Sequence, residues 1–217
     1  MKQEISQRFA RNIARVKNLV AIYRTQLAGP GQGRRSHQET DVLRAAAVLL
    51  HASLEDVLRS LAYWKLPGAQ AAVLDQIPIV GGTAIKVSLG TLSAHRGKTI
   101  DQLIKASTDA SLERSNYNNP SEVSALLQSV GLSTAPLAPY MAILEDAMQR
   151  RHRIVHRADE NPNAGRGNHR VASISPQTLD AWIANTEGFV RDVLAQATSV
   201  QLPPNISLKR TNQSLRD

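Results

Sequence analysis

The stretch from His37 to Leu66, HQETDVLRAAAVLLHASLEDVLRSLAYWKL, constrains this chain most. Leu43, Ala47, Leu50, Leu54, Val57, Leu61 and Trp64 recur at helical spacing and form one continuous apolar stripe. A second stripe on another face, Arg44, His51, Glu55 and Arg59, is polar or charged. Glu55 and Arg59 form a favourable i,i+4 pair. Pro67-Gly68 ends the helix. A helix this long and one-sided has to bury its stripe against other helices.

The rest of the chain supplies them. Ile5, Phe9, Ile13, Val16, Val20 and Leu27 give residues 2–27 one apolar face, with Arg8, Arg11, Arg15, Lys17 and Arg24 largely off it. AGPGQGRRS then breaks the pattern. TIDQLIKASTDASLER is predicted to be a helix capped by Thr99, and Asn119-Pro120 to open another that ends near Gly131. A further helix runs from about Pro136 through Met141, Leu144, Ala147 or Met148, with Ile154 and Val155 anchoring its end to the core. The last one begins at Ser175-Pro176 and carries Leu179, Trp182 or Ile183, Phe189, Val190 and Leu194. Residues 68–98, with Gly81-Gly82 and β-branched positions, read either as short strands or as an irregular insertion. The expectation is an all-α fold: an antiparallel bundle of four to six helices over residues 1–199, followed by a disordered basic tail at 200–217.

Composition narrows the partners. Twenty-six Lys and Arg stand against 18 Asp and Glu, a formal charge of +8, which favours a polyanion. The basic residues are mostly arginine, which binds phosphate bidentately and stacks on bases. There is no cysteine, hence no disulfide framework or thiolate metal site. Neither a signal-peptide pattern nor a run of about 20 apolar residues occurs, so a cytoplasmic protein without a membrane partner is expected.

The charge peaks in QRRHRIVHRADE, residues 149–160, with four arginines and two histidines. Two readings stand. The run is a solvated helix end set against the negative pole of the helix dipole, or it holds a phosphate. Histidines favour the second, because imidazole moves protons near neutral pH. So does the following loop rich in Asn, Gly and Arg. His152 and His156 have the i,i+4 spacing of helical metal ligands, but no Glu follows His152 and four arginines repel a dication; no metal and no cofactor are expected. RNA can be cut without a metal by its own 2′-hydroxyl, given a histidine to move a proton and an arginine to hold charge.

The segment RHRIVHRAD resembles the R-x4-6-H motif of the HEPN superfamily, with Arg151, four intervening residues and His156. A polar residue, here His152 where many members have Asn, follows the arginine. The run IVHRAD and the helix DVLRAAAVLLHASLEDVLRSL are similar to the predicted RNase subfamily labelled RiboL-PSP. The resemblance implies a dimerising helical bundle, often a toxin of a toxin–antitoxin system or a phage-defence protein. Its active members are metal-independent endoribonucleases that leave a 2′,3′-cyclic phosphate from a composite groove. On that resemblance Arg151 binds the scissile phosphate and His156 is the general acid/base. His152 orients the substrate or His156, and Glu55 pairs with the motif arginine, or else simply with Arg59. Arg153 and Arg157 are phosphate contacts or a solvated helix end, and the basic face of the first helix is an RNA track or a solvated face. RNA, a second copy and an antitoxin or regulatory protein are the implied partners. A non-catalytic HEPN module that binds RNA or nucleotides is the alternative, and a structural or DNA-binding helical protein a third. The insertion covers the groove or meets a partner.

Overall fold

A computed structural model describes residues 1–29, 37–82, 87–113, 115–161 and 171–199. Among them the fold is all-α, with eight α-helices: α1 (Lys2–Ile22), α2 (His37–Lys65), α3 (Ala71–Leu74), α4 (Leu89–Ser93), α5 (Ile100–Leu112), α6 (Pro120–Ser129), α7 (Ala138–Arg157) and α8 (Pro176–Ser199). A π-helical turn, Tyr23–Leu27, extends α1, and short 3-10 turns follow α2 and precede α7. Six of the helices are the expected ones. The other two, α3 and α4, are single turns within residues 68–98, where the strand alternative finds no strand among the described residues. Loop 162–170 and the tail 200–217 lie outside the described residues.

The central helix is α2. It packs against α1, α7 and α8 to form the core, and against α5 and α6. This explains why its buried positions are more numerous than a single stripe: Ala46, Leu58 and Ala62 are buried beside Leu43, Ala47, Leu50, Leu54, Val57 and Leu61. Each leucine or valine buried here contributes roughly 1.5–3 kcal/mol. The opposing face of α1 buries Ile5, Phe9, Ile13, Val16 and Val20, and α8 supplies Leu179, Trp182, Ile183, Phe189, Val190 and Leu194.

Caps set the helix starts where the sequence placed them. Thr99 Oγ1 accepts from the Gln102 amide in a reciprocal capping box, Asn119 Oδ1 accepts from the Glu122 amide, and Ser175 Oγ from the Thr178 amide. The basic face of α1 and the turn after it is partly engaged by neighbouring helices, while Arg11 and Arg15 are exposed. Arg8 binds Asp56 and Ser60 of α2, Lys17 binds Glu187, and Arg24 binds Asp180 of α8.

Helix α7 is fastened to α8 along its length. Tyr140 Oη donates to Asp192 Oδ2 at 2.5 Å and Trp182 Nε1 donates to Asp146 Oδ2 at 2.9 Å. The Tyr140 ring stands edge-on to Phe189, with centroids 6.2 Å apart. Gly188 makes this approach possible, since a Cβ there would lie 2.8 Å from Tyr140 Cε1. Alanine in place of a helix-interior glycine ordinarily adds about 1 kcal/mol of stability. Here a pinned ring opposes it, and overpacking costs about 1–3 kcal/mol. Gly188→Ala is therefore expected to lower the thermal unfolding midpoint; a raised midpoint would show that the ring moves freely.

Candidate functional site

The last turns of α7 carry the basic run, and the fold divides its six cationic side chains among three jobs. Arg150 belongs to the interior. It donates to Asp159 Oδ2 at 2.7 Å and to the carbonyls of Ala172 and Ser173, each at 2.9 Å. Arg44 of α2 donates through Nε to the same Asp159 oxygen at 2.8 Å and through a terminal nitrogen to the Ala172 carbonyl at 2.7 Å. Asp159 is fully buried. Its backbone is left-handed, at φ 58°, just after Ala158 at 46°, and its amide bonds the Arg153 carbonyl. An isolated antiparallel bridge pairs Glu160 with Val171 just beyond. Asp159, between the exposed Ala158 and Glu160, is thus a buried latch joining α2, α7 and the segment before α8.

Arg151 faces the opposite way, towards the link between α5 and α6. It donates to Asn118 Oδ1 at 3.3 Å. That link is held from α2: Arg59 donates to the Leu112 carbonyl at 2.9 Å and the Ser115 carbonyl at 2.6 Å, while its guanidinium also binds Glu55 at 2.9 Å. Glu55 therefore pairs with Arg59 and not with Arg151, since its carboxylate is drawn to the nearer cation one helical turn along. Asn118 is fixed by its own amide, which donates to Glu122 Oε2 at 2.7 Å.

His51 of α2 is buried beside Arg151. Burial lowers its proton affinity, Arg151 lowers it further, and Glu55 and Asn118 pull it back up. The folded protein therefore favours neutral His51. Below the ordinary histidine pKa of about 6.5 the unfolded chain takes up a proton that the folded one resists, so His51 makes stability fall with pH there. In urea unfolding at about pH 7.5 and about pH 5.5, His51→Gln is expected to shrink the difference between the two midpoints. An unchanged difference would assign the pH dependence to other groups.

The third group faces outward. His152 and His156 are exposed, their ring centroids 4.6 Å apart and tilted by 44°. His152 joins Arg153, Arg157, Gln149, Met148 and Asn118 around a pocket of about 320 Å³. Among the described residues, no carboxylate pairs with Arg151, Arg153 or Arg157, whereas Arg8, Arg24, Arg44, Arg59 and Arg150 each bind one. The Nε atoms of Arg150, Arg151 and Arg153 are all buried without a hydrogen-bond partner, so it is the missing carboxylate that sets Arg151 and Arg153 apart. Such guanidiniums are electrostatically uncompensated and suited to an anion. Ile154 packs against the core as expected, but Val155 is 48% exposed and anchors nothing. Val155 lies on the same face as Leu144 and Met148, so its exposure comes from its place in the last turn of α7 and not from the helical register.

Sequence reasoning picked out Arg151, Arg153, Arg157, His152 and His156, which do gather at one end of α7. It missed Asn118 and His51, which touch or flank Arg151. Membership of His51 in the polar stripe of α2 was the available signal; for Asn118, in a link between helices, there was none.

The fold and site define an all-α bundle with an arginine-rich, histidine-bearing end. Comparison with family models, curated proteins and solved structures finds no match. Among the described residues, no helix is long and apolar enough to cross a membrane, and no three His, Asp or Glu side chains gather as a metal site would need.

Proposed function

We propose that this protein is a metal-independent endoribonuclease of HEPN type. The observation that carries the reading is the cluster of three arginines without carboxylate partners beside two exposed, adjacent histidines. An arginine that no carboxylate neutralises is available to a phosphate, and an exposed imidazole is available to exchange a proton.

In this reading Arg151 and the pocket arginines hold the scissile phosphate. An imidazole takes the proton of the 2′-hydroxyl as that oxygen attacks phosphorus. The P–O5′ bond breaks, the 5′-oxygen leaves with a proton, and a 2′,3′-cyclic phosphate remains. Arginine stabilises the charge that builds on the phosphorane oxygens. His156 stands five positions after Arg151, roughly 140° around an ideal helix. One chain therefore points the two in different directions, and a second copy supplies the histidine facing each Arg151. The cell context that fits is a cytoplasmic toxin–antitoxin or phage-defence system with a protein partner that restrains the nuclease.

The same separation favours a second reading, a non-catalytic module that binds RNA or nucleotides and acts through a protein partner. Incubation with mixed RNA in EDTA separates the two. The nuclease yields fragments ending in cyclic phosphate. The binding module retains RNA uncut, with an affinity that falls steeply with salt. Cleavage that requires a divalent cation would overturn the proposed mechanism.

A further inference from the structure

A second cavity, of about 840 Å³, opens between α3, α5 and α6. Its size lies in the range of small-ligand sites. Its chemistry is the reverse of the arginine pocket. Among the described residues that line it, none is basic, and Gln76, Asn116 and Gln128 bring three carboxamides. The one carboxylate, Glu122, is engaged by the Asn118 amide at 2.7 Å. Tyr117 is only 4% exposed, and its hydroxyl has no hydrogen-bond partner. Val73 and Ile77 of the insertion form part of an apolar wall. No residue of α3 is fully buried, and Val73 both packs against the core and lines the cavity.

The two cavities meet at one piece of chain. Residues 115–117 line the neutral cavity, while Asn118 lines the cationic pocket and accepts from Arg151. Successive residues stand about 3.8 Å apart, so consecutive residues of one link line a carboxamide-bearing compartment and a cationic one. A nucleotide has that same division into an uncharged base and an anionic phosphate.

The geometry points to a base-binding subsite: the cavity between α3, α5 and α6 takes a nucleobase of the RNA strand whose phosphate the α7 arginines hold, with adenine preferred. The inference rests on the reading of the α7 end as an RNA site. Among the described residues the lining offers a phosphate no cation, whereas a carboxamide sets a donor and an acceptor side by side for an adenine edge. Unstacked single-stranded bases are read by such edge contacts. The role of the insertion follows, since α3 and the turn after it build the wall that makes the cavity.

The test uses the full chain and short 2′-O-methyl oligonucleotides of adenine or of uracil, which lack the attacking hydroxyl and stay intact. The adenine oligomer is expected to bind about tenfold tighter. The double variant Asn116→Ala, Gln128→Ala, both on exposed positions, is expected to abolish the adenine preference, with an unchanged thermal unfolding midpoint as the control for folding. Equal affinities in the wild type, or a preference that survives the double variant, would overturn the subsite. Unmodified RNA run alongside keeps the two ideas apart: base preference without cleavage refutes the nuclease and spares the subsite, and cleavage without preference does the reverse.

Discussion

His156→Ala is expected to cut RNA cleavage by about 10²–10⁴-fold, the usual contribution of a positioned general acid or base. The side chain is exposed, so the variant should unfold at the wild-type temperature. Arg151→Ala is expected to cost about 10²–10³-fold through lost stabilisation of the phosphorane. Arg151→Lys should recover only part of that, because an ammonium is a point charge and cannot bind two phosphate oxygens in a plane. The measurement is the initial rate on one defined RNA in EDTA, with product ends read on the same samples. Wild-type rates from both alanine variants would move the chemistry away from the end of α7. If each variant is inactive alone but a mixture of the two recovers cleavage, the site is shared between two copies.

Asp159→Ala should destabilise the fold by about 3–5 kcal/mol, because it removes the carboxylate that two buried guanidiniums share and leaves Arg44 only the exposed Asp41 and Arg150 only carbonyls. Arg44 and Arg150 have side chains only 8% and 12% exposed, so water cannot replace what is lost. The left-handed backbone at this position, φ 58°, adds a cost for alanine that asparagine largely escapes. Asp159→Asn therefore separates the two contributions, keeping the conformation and an acceptor oxygen while removing the charge. Urea unfolding of both variants gives the comparison. A loss below about 1 kcal/mol in Asp159→Ala would mean that the arginines find other partners. The latch lies next to the proposed site, so a cleavage assay on this variant reads folding and chemistry together. The unfolding measurement comes first.

The parts of the fold that depend on local rules were legible in the sequence. A helix repeats every 3.6 residues, so the stripes of α1, α2 and α8 announced themselves, and Thr99, Asn119 and Ser175 marked helix starts through bonds that span three residues. Residues 68–98 were not legible. Single-turn helices such as α3 and α4 are too short to show a period, and they form only because neighbouring helices give them a surface.

At the candidate site the division is sharper. The sequence by itself determined that α7 ends in a block of arginine and histidine, and that this block needs an explanation. Only the motif resemblance singled out Arg151; nothing in the residues themselves showed that Arg150 is an interior strut bound to Asp159 while Arg151 reaches Asn118. That assignment comes from partners far along the chain: Arg44 on α2 and the Ala172 carbonyl for the Asp159 latch, and Asn118 in the α5–α6 link for Arg151. A charge is committed when a counter-charge is brought within a few ångströms, and the Coulomb term falls with distance in space whatever the separation in sequence. Helical period is written into neighbouring residues, whereas the pairing of charges is decided only when the bundle closes.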